Sequence, residues 1–314
     1  MPRVEFGVHL PLISLQGERR SLDDLLALTG AARDLGYTHL CVNDHLVFSR
    51  PWLDGPTALA AVLAHSGQMT LATTVAVPEL RGLPATAKIL AAIDVLSGGR
   101  LLVGLGPGSS ARDYELVGVR FEERWQRLDE AVQTLRTFWR ADDVAFEGEF
   151  YSTAGFQLAP TPEQRPGPPI WIGSWGSAAG LKRVARLGDG WLASGYNTTP
   201  ERFAQAWLDL QAEVAARGRD VARFPNGIAT MWCYVTEARA RADAMLSNVL
   251  APMLNRPVEQ LRTLLPIGSV EDSTEKLLAY ARAGAQRVFL WPLADELAQL
   301  EVFRTRVVPL LDAA

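Results

Sequence analysis

The sequence predicts an α/β protein that folds as a (β/α)8 TIM barrel, a closed ring of eight parallel strands, with insertions after strand 4 and strand 7. Two observations predict this fold. Short apolar, β-rich runs alternate with longer amphipathic stretches along the 314 residues, which is typical of βα units around a parallel sheet. Eight such runs can be counted, and a closed sheet leaves no exposed edge strand, which favours a barrel over an open sheet.

The eight predicted strands are nearly continuous in apolar residues, as expected for strands buried on both faces. They are residues 4–10, 38–42, 70–75, 101–104, 169–173, 190–193, 227–235 and 287–291.

Amphipathic periodicity predicts the helices between these strands. Ser21 is the expected N-cap of the first helix, with Asp24 completing a capping box, and leucines 22, 25, 26 and 28 form its apolar face. The longest helix is predicted at residues 121–139. Its apolar side chains recur at helical spacing and are expected to be core rather than cofactor contacts; they are Phe121, Trp125, Leu128, Val132, Leu135 and Trp139. The eighth helix is predicted at residues 296–311.

Two stretches interrupt the repeat. Residues 144–158 are predicted to form a hairpin, and the proline-rich segment 160–169 leads into strand five. Residues 237–268 read as a mostly helical insertion that covers the barrel mouth. Neither stretch is large enough for an independent domain, and no linker composition separates two halves, so residues 1–314 are expected to form a single domain.

The composition excludes several classes of function. With 48% hydrophobic and 21% charged residues, the chain resembles an ordinary soluble globular protein, and its net charge of -4 argues against nucleic-acid binding. No apolar run approaches the length of a membrane span, and no signal peptide is evident at the start. Cys41 and Cys233 lie in apolar stretches and are expected to be reduced core residues, which favours a cytoplasmic location.

An Asp-His pair stands where the second predicted strand ends. Because the carboxyl ends of barrel strands meet at one rim, and an imidazole titrates near neutral pH, Asp44 and His45 are candidates for binding and proton handling. The alternative is an ordinary turn with a helix-capping Asp. His9 ends the first strand and is expected at the same rim.

Two glycine-rich turns follow strands four and five, at residues 104–110 and 173–177, and imply that some group approaches the backbone closely. The first turn is not a dinucleotide fingerprint; it can instead be a tight turn in which Ser110 caps a helix and Asp113 completes a capping box. The second precedes a predicted helix whose free amides could bind a phosphate-bearing ligand. Simple capping by Ser177 is the alternative.

The sequence lacks the residues that other kinds of catalytic site would require. His39 and His65 read as structural, and a metallohydrolase would need more ligands than His9, Asp44 and His45, so no metal site is expected. The chain has neither a nucleophile elbow nor an acidic partner of Asp44 suited to glycoside hydrolysis. The chemistry is therefore assigned to a bound cofactor.

Six short motifs stand in a characteristic order: Phe6-Gly-Val-His-Leu-Pro11, Asn43-Asp-His-Leu46, Leu96-Ser-Gly-Gly-Arg-Leu101, Gly104-Leu-Gly106, Glu123-Arg124 with Arg127-Leu-Asp-Glu130, and Leu187-Gly-Asp-Gly-Trp191. Together they resemble the luciferase-like monooxygenase family of flavin and deazaflavin enzymes. The resemblance is strong over roughly residues 4–195 and looser beyond. The fold of that family is a (β/α)8 barrel with insertions, in agreement with the pattern above.

The Asp-His pair looks most like the branch that uses the deazaflavin coenzyme F420; FMN is the alternative cofactor. The resemblance implies that Asp44 contacts the ring system and that His45 lies near the hydride-carrying carbon. It also implies a non-prolyl cis peptide at Thr74-Val75, behind the ring. Contacts to the phosphate and side chain of the coenzyme would fall on six further residues: Gly106, Gly173, Ser174, Trp175, Gly176 and Ser177.

The chain departs from the best-known sugar-phosphate dehydrogenase of that branch, which has a glutamate where this chain has Ser109. This difference argues against sugar-phosphate oxidation and leaves His45 without an obvious acid-base partner in that loop. Trp175 also replaces a smaller residue of the phosphate turn.

We therefore expect an oxidoreductase that transfers a hydride between F420 and a small organic substrate. His45 would move the proton or orient the substrate, and His9, Phe48 and Trp52 would form the substrate wall. The alternatives are an FMN-dependent monooxygenase, a non-catalytic flavin-binding barrel and a metal-dependent hydrolase. A homodimer through helices two and three, usual in the family, is expected.

Overall fold

The computed structural model describes residues 4–15, 17–140, 142 and 144–314. Eight parallel strands form a closed barrel, since the sheet order β6-β5-β4-β3-β2-β1-β9-β7 is completed by a pairing of β6 with β7. The strands of the barrel are β1 (Glu5–His9), β2 (His39–Val42), β3 (Thr70–Ala76), β4 (Leu101–Leu105), β5 (Ile170–Gly173), β6 (Gly190–Ser194), β7 (Asn226–Val235) and β9 (Arg287–Pro292). A further short strand, β8 (Ile267–Gly268), lies outside the closed ring. The predicted barrel and its eight strands are confirmed.

Strand β8 is the element that the sequence pattern missed. It is two residues long and pairs in parallel with Tyr234 and Val235 at the end of β7, outside the closed ring. It contains the last two residues of the predicted helical insertion.

Helices surround the barrel. They are α1 (Leu22–Asp34), α2 (Gly55–Val62), α3 (Leu83–Ser97), α4 (Ala111–Leu116), α5 (Arg124–Trp139), α6 (Ala178–Leu187), α7 (Pro200–Ala215), α8 (Arg239–Ala244), α9 (Ala251–Leu254), α10 (Val258–Leu264), α11 (Val270–Arg282), α12 (Glu296–Val302) and α13 (Val308–Asp312). Two π-helical segments, Met245–Leu250 and Phe303–Val307, join α8 to α9 and α12 to α13. None of the described helices is long and apolar enough to cross a membrane.

The first helix begins as its sequence predicts. The Ser21 hydroxyl accepts from the Asp24 amide, and the Asp24 carboxylate accepts from the Ser21 amide, which completes the capping box. Leu25 and Leu28 are buried, but Leu22 is 54% exposed, so its place in the apolar face was wrong.

The two insertions also match their predicted type. An antiparallel bridge between Glu147 and Ser152 closes a short hairpin, and helices α8 to α10 fill most of the second stretch. Residues 141 and 143, close to the hairpin, lie outside the described residues.

The barrel interior is filled near its amino end and opens toward the carboxyl end. Trp171 and Phe289 pack inside with Cys41, Leu102 and Leu192. Both cysteines are buried and free, as expected. The larger apolar core lies between the barrel and the helices. This arrangement leaves space where the strands end.

Candidate active site

Two adjoining cavities open where the barrel strands end. The first, which we call the rim cavity, encloses about 420 Å³ and borders the ends of strands β2 to β7. The second, the aromatic cavity, encloses about 320 Å³ and lies beside it, toward Trp232 and Trp291. His45 borders both.

His45 is held by a carboxylate from α4, the helix that follows β4. Its Nδ1 lies 2.9 Å from Oδ2 of Asp113, and Oδ1 of Asp113 accepts from the amides of Leu46 at 3.0 Å and Val47 at 2.6 Å. Burial alone would raise the pKa of Asp113, but the hydrogen bonds from His45 and these amides outweigh it and hold that pKa below its ordinary value. An ionised Asp113 requires the proton of a neutral imidazole on Nδ1, which leaves Nε2 as an acceptor.

This contact corrects one expectation and extends another. Ser110 does cap α4, because its hydroxyl accepts from the Asp113 amide at 3.4 Å. Asp113 does not complete a capping box, however, since its carboxylate turns to His45 and the chain that follows it. The loop itself, residues 106–110, contains no carboxylate, as expected, but Asp113 reaches His45 from α4, one helical turn beyond Ser109.

Asp44 is buried, only 3% exposed, and binds Arg81 with both oxygens. Nε of Arg81 donates to Oδ2 at 3.0 Å and Nη2 to Oδ1 at 2.5 Å, while the Val77 amide donates to Oδ2 at 3.3 Å. Burial lowers the pKa of Arg81, but its bonds to Asp44 and Asp54 raise it above the ordinary value. Asp54, not Asp44, caps α2, so the helix-capping alternative for Asp44 was wrong.

The peptide bond between Thr74 and Val75 is cis, as the resemblance implied. Asn43 fixes this segment, since its Oδ1 accepts from the Val75 amide at 3.0 Å. The Thr74 hydroxyl lies 3.3 Å from both the Val42 carbonyl oxygen and Nε2 of His9. Thr74 and Val75 both border the rim cavity.

The glycine turns show what approaches their backbone. A Cβ at Gly106 would stand 2.9 Å from Cγ2 of Val75, and a Cβ at Gly173 would stand 3.1 Å from its Cγ1. The side chain of Val75 therefore fills the space that both glycines leave. These three residues form one side of the rim cavity.

The second glycine turn caps a helix and also borders the rim cavity, while its predicted phosphate contact stays a prediction. Ser177 caps α6, because its hydroxyl accepts from the Gly180 amide at 3.2 Å, as in the capping alternative. Ser177 also borders the rim cavity, together with Ser174 and the 58% exposed Trp175. Gly176 is not among the lining residues; it turns the chain at a φ of 88°.

Two aromatic side chains at the start of the longest predicted helix are not core residues, so that part of the prediction was wrong. Leu128, Val132, Leu135 and Trp139 are core as expected, but Phe121 and Trp125 are only partly buried and border the rim cavity. The chain there forms a 3-10 turn, Phe121–Glu123, before α5, so these aromatics extend past the barrel rim. Arg124 borders the same cavity, with its guanidinium 3.9 Å from the centre of the Phe121 ring. The helical spacing of apolar residues cannot distinguish side chains that line a cavity from side chains packed in the core.

The aromatic cavity contains two of the three predicted wall residues. Phe48 and Trp52 border it, with ring centres 5.1 Å and 4.7 Å from that of His45. His9 does not: it is fully buried and stacks on Trp291 at 4.1 Å. Burial lowers the pKa of His9 to about 3, so it is neutral. His9 therefore lies behind Trp291, which borders the aromatic cavity.

A bulge in β7 places Thr230 between the two cavities. The register with β9 shifts between Ile228 and Met231, and Thr230 has a φ of 52°. A β-branched residue rarely adopts a positive φ, and such residues cluster at functional sites. No pattern in the sequence indicates this bulge.

The metal-hydrolase alternative finds no support in the described part of the chain. No group of three or more His, Cys, Asp or Glu residues there could hold a metal ion, and His9 and Asp44 are each bound to other partners. Of the remaining histidines, His39 is buried in the barrel wall and His65 is exposed at the end of a 3-10 turn.

Comparisons with known proteins identify the family and related enzymes. The model of the luciferase-like monooxygenase family matches residues 5–256. An F420-dependent glucose-6-phosphate dehydrogenase of Rhodococcus erythropolis is 29% identical, covering 92% of this chain and 94% of the relative. An F420-dependent hydroxymycolic acid dehydrogenase of Mycobacterium tuberculosis is 27% identical, covering 95% and 87%.

Solved structures share the fold. An F420-dependent secondary alcohol dehydrogenase, solved with an F420-acetone adduct, superposes with a TM-score of 0.84 at 16% identity and covers 98% of this chain and 99% of its own. The monooxygenase RslO1 of Streptomyces bottropensis also has a TM-score of 0.84, at 20% identity and the same coverage.

Proposed function

Because this chain belongs to the luciferase-like monooxygenase family, we propose that it is an oxidoreductase that transfers a hydride between coenzyme F420 and a small organic substrate. The observation that carries the proposal is the position of His45, which borders both the rim cavity and the aromatic cavity. A group that moves a proton must reach substrate at the point where the hydride is exchanged.

The rim cavity suits a deazaflavin in size and chemistry. Its volume of about 420 Å³ lies within the roughly 300–1,000 Å³ range of ligand pockets. Val75 would support one face of the ring system. Arg124, Ser174 and Ser177 border the opposite part of the lining and supply a cation and hydroxyl groups for a phosphate, and α6 begins there. When bound, the coenzyme would supply the hydride chemistry.

The Asp44 carboxylate has one hydrogen-bond acceptor position left for the coenzyme. An ionised carboxylate has about four acceptor positions, and three are used by the two donors of Arg81 and the Val77 amide. We propose that the remaining position accepts a hydrogen bond from the ring system. Arg81 and Val77 then hold the carboxylate in place for that contact.

His45 and Asp113 handle the proton. Nε2 of His45, the acceptor set by Asp113, takes the hydroxyl proton of an alcohol as its carbon gives up a hydride. Asp113 stabilises the imidazolium that results. In the reverse direction the same imidazolium returns the proton to a carbonyl oxygen.

We also propose a cytoplasmic homodimer. The support is a set of exposed apolar side chains on α3, where Leu96 is 68%, Val95 38% and Ile89 36% exposed. The two buried free thiols suit a reducing compartment.

The test mixes the protein with oxidised F420 and a panel of alcohols without oxygen. We expect reduction of F420 by at least one alcohol. His45→Gln should slow it by about 10²-fold with little change in F420 affinity, while His65→Gln, at an exposed histidine, should behave as wild type. Turnover that requires FMN and oxygen, or an unaffected His45→Gln variant, would refute the proposal.

A further inference from the structure

The aromatic cavity has a polar end and an apolar end. Five residues border both cavities, and all five carry polar side chains: Asn43, His45, Ser109, Tyr196 and Thr230. The polar groups of the aromatic cavity are therefore concentrated where it meets the rim cavity. A substrate would place its reacting oxygen at this junction.

Beyond the junction the lining is mostly hydrocarbon. It consists largely of Phe48, Trp52, Trp232, Met253, Leu254 and Trp291. Trp232 and Trp291 stack at 4.1 Å, and Trp52 meets Trp291 edge-on at 5.7 Å. The indole nitrogens of Trp52 and Trp232 are buried and have no hydrogen-bond partner in the described structure. Carbon atoms of these rings, rather than their N–H groups, thus face the open space.

Charge is nearly absent from this lining. Among the described residues that border the aromatic cavity, only His45, Arg112 and Tyr196 are ionisable; Arg112 is exposed, and burial raises the pKa of Tyr196, which keeps its phenol neutral. A phosphate needs charge-assisted donors, and a buried charge without a partner is strongly disfavoured. Arg112 is the one arginine or lysine among the described lining residues, and it is exposed rather than buried among the aromatic rings, so the buried part of the cavity offers a sugar phosphate no such donor.

We propose that the aromatic cavity binds an uncharged secondary alcohol or ketone with an apolar, ring-sized body. The volume of about 320 Å³ is near the lower end of the range of ligand pockets, roughly 300–1,000 Å³, so the body is small. This inference rests on the proposed function and assigns its substrate class.

The reaction balances as an alcohol oxidation. The carbinol C–H bond breaks and its hydride leaves to oxidised F420. The O–H bond breaks and its proton passes to Nε2 of His45, and the C=O bond of the ketone forms. The alcohol loses two electrons, and the coenzyme gains them.

The test compares cyclohexanol, 4-methylcyclohexanol and glucose 6-phosphate with the F420-loaded protein. The added methyl group should raise kcat/KM about fourfold, the effect of burying one more carbon, and glucose 6-phosphate should give no reduction. Trp52→Ala should lower kcat/KM for 4-methylcyclohexanol by 10-fold or more, within the range of a lost aromatic contact, and Trp52→Phe should recover most of it. Phe156→Ala, at a 73% exposed aromatic outside both cavities, is the matched control.

Binding without turnover separates this inference from the proposed function. Cyclohexanone should quench tryptophan fluorescence in the wild type and do so more weakly in Trp52→Ala, whether or not F420 is present. Failure of F420 to bind would refute the proposed function and leave the quenching result to decide the substrate class. Oxidation of glucose 6-phosphate that is lost in Arg112→Gln, or a Trp52→Ala variant equal to Phe156→Ala, would overturn the inference.

Discussion

The tautomer and orientation of the His45 ring are set by a residue 68 positions further along the chain. Asp113 receives donors from His45, Leu46 and Val47, so it fixes both the imidazole and the turn that presents it. The sequence places His45 at a strand end but cannot show which carboxylate of a neighbouring element will reach it. That contact depends on how the loop after β2 packs against α4.

Asp113→Asn tests this pair. The variant keeps the shape of the side chain but loses the charge that stabilises the imidazolium and the tautomer with Nε2 free. We expect kcat to fall by about 10- to 100-fold, with KM and thermal stability nearly unchanged. Steady-state kinetics and thermal melts measure the two effects, and Asp113→Glu should recover part of kcat. An Asp113→Asn variant with wild-type kcat would show that Asp113 only anchors the loop.

The elements around the rim depend on close packing between a strand end and two glycine turns. Val75 at the end of β3 fills the space left by Gly106 and Gly173. The sequence indicates glycine for a close approach but not the identity of the approaching group. Likewise, periodicity predicts α5 but cannot show that Phe121 and Trp125 extend past the barrel into a cavity. The spacing of apolar residues shows which face of a helix is apolar, but not whether that face packs against the core or lines a cavity.

Gly106→Ala should push Val75 into the rim cavity, since the new Cβ would stand 2.9 Å from its Cγ2. Overpacking of this kind costs about 1–3 kcal/mol, and we expect F420 to bind about 10-fold more weakly as the Val75 side chain moves. The double variant Gly106→Ala, Val75→Ala removes the clash and should recover most of the affinity. Titration of F420 into each variant gives the coupling between the two positions. Additive losses would mean that Val75 is not the group that the glycine accommodates.

The whole molecule carries a buried carboxyl group outside the active site. Glu79 lies in the 3-10 turn Pro78–Leu80 and is 5% exposed, and neither of its carboxylate oxygens has a hydrogen-bond partner in another described residue. Burial raises its pKa to about 8, against a smaller opposing effect of Arg127. The folded protein therefore holds this proton at neutral pH, while the unfolded chain releases it.

The free energy of unfolding should consequently decrease as the pH rises, because of the Glu79 carboxyl group. Below pH 4.5, the ordinary pKa of a glutamate side chain, the carboxyl is protonated in both the folded and the unfolded state. Between that pH and about 8 only the unfolded chain loses the proton, so the free energy of unfolding decreases, by on the order of a few kcal/mol.

Glu79→Gln removes this titration and should flatten the decrease in urea unfolding measured from pH 5 to pH 9. Glu122→Gln, which removes an exposed carboxylate, should keep the wild-type decrease in stability with pH. A Glu79→Gln variant with an unchanged slope would mean that Glu79 is ionised in the folded protein.

The fold follows from the sequence more completely than the site does. Eight apolar strands alternating with helices suffice for the barrel, because each strand reads as buried on both faces. The two-residue strand β8 and the bulge at Thr230 do not follow, because they depend on register between distant strands. The predicted wall residues show the same limit: Phe48 and Trp52 border the aromatic cavity, while His9 is buried and stacks on Trp291.

The assignment of this site depends on the rim cavity holding a deazaflavin rather than FMN. Equilibrium titration of the purified protein with F420 and, separately, with FMN, followed by coenzyme fluorescence, distinguishes the two coenzymes. We expect saturable binding of F420 at one site per chain, at least 10-fold tighter than FMN, and weakened by Gly106→Ala. Tighter binding of FMN, or F420 binding that Gly106→Ala leaves unchanged, would contradict it.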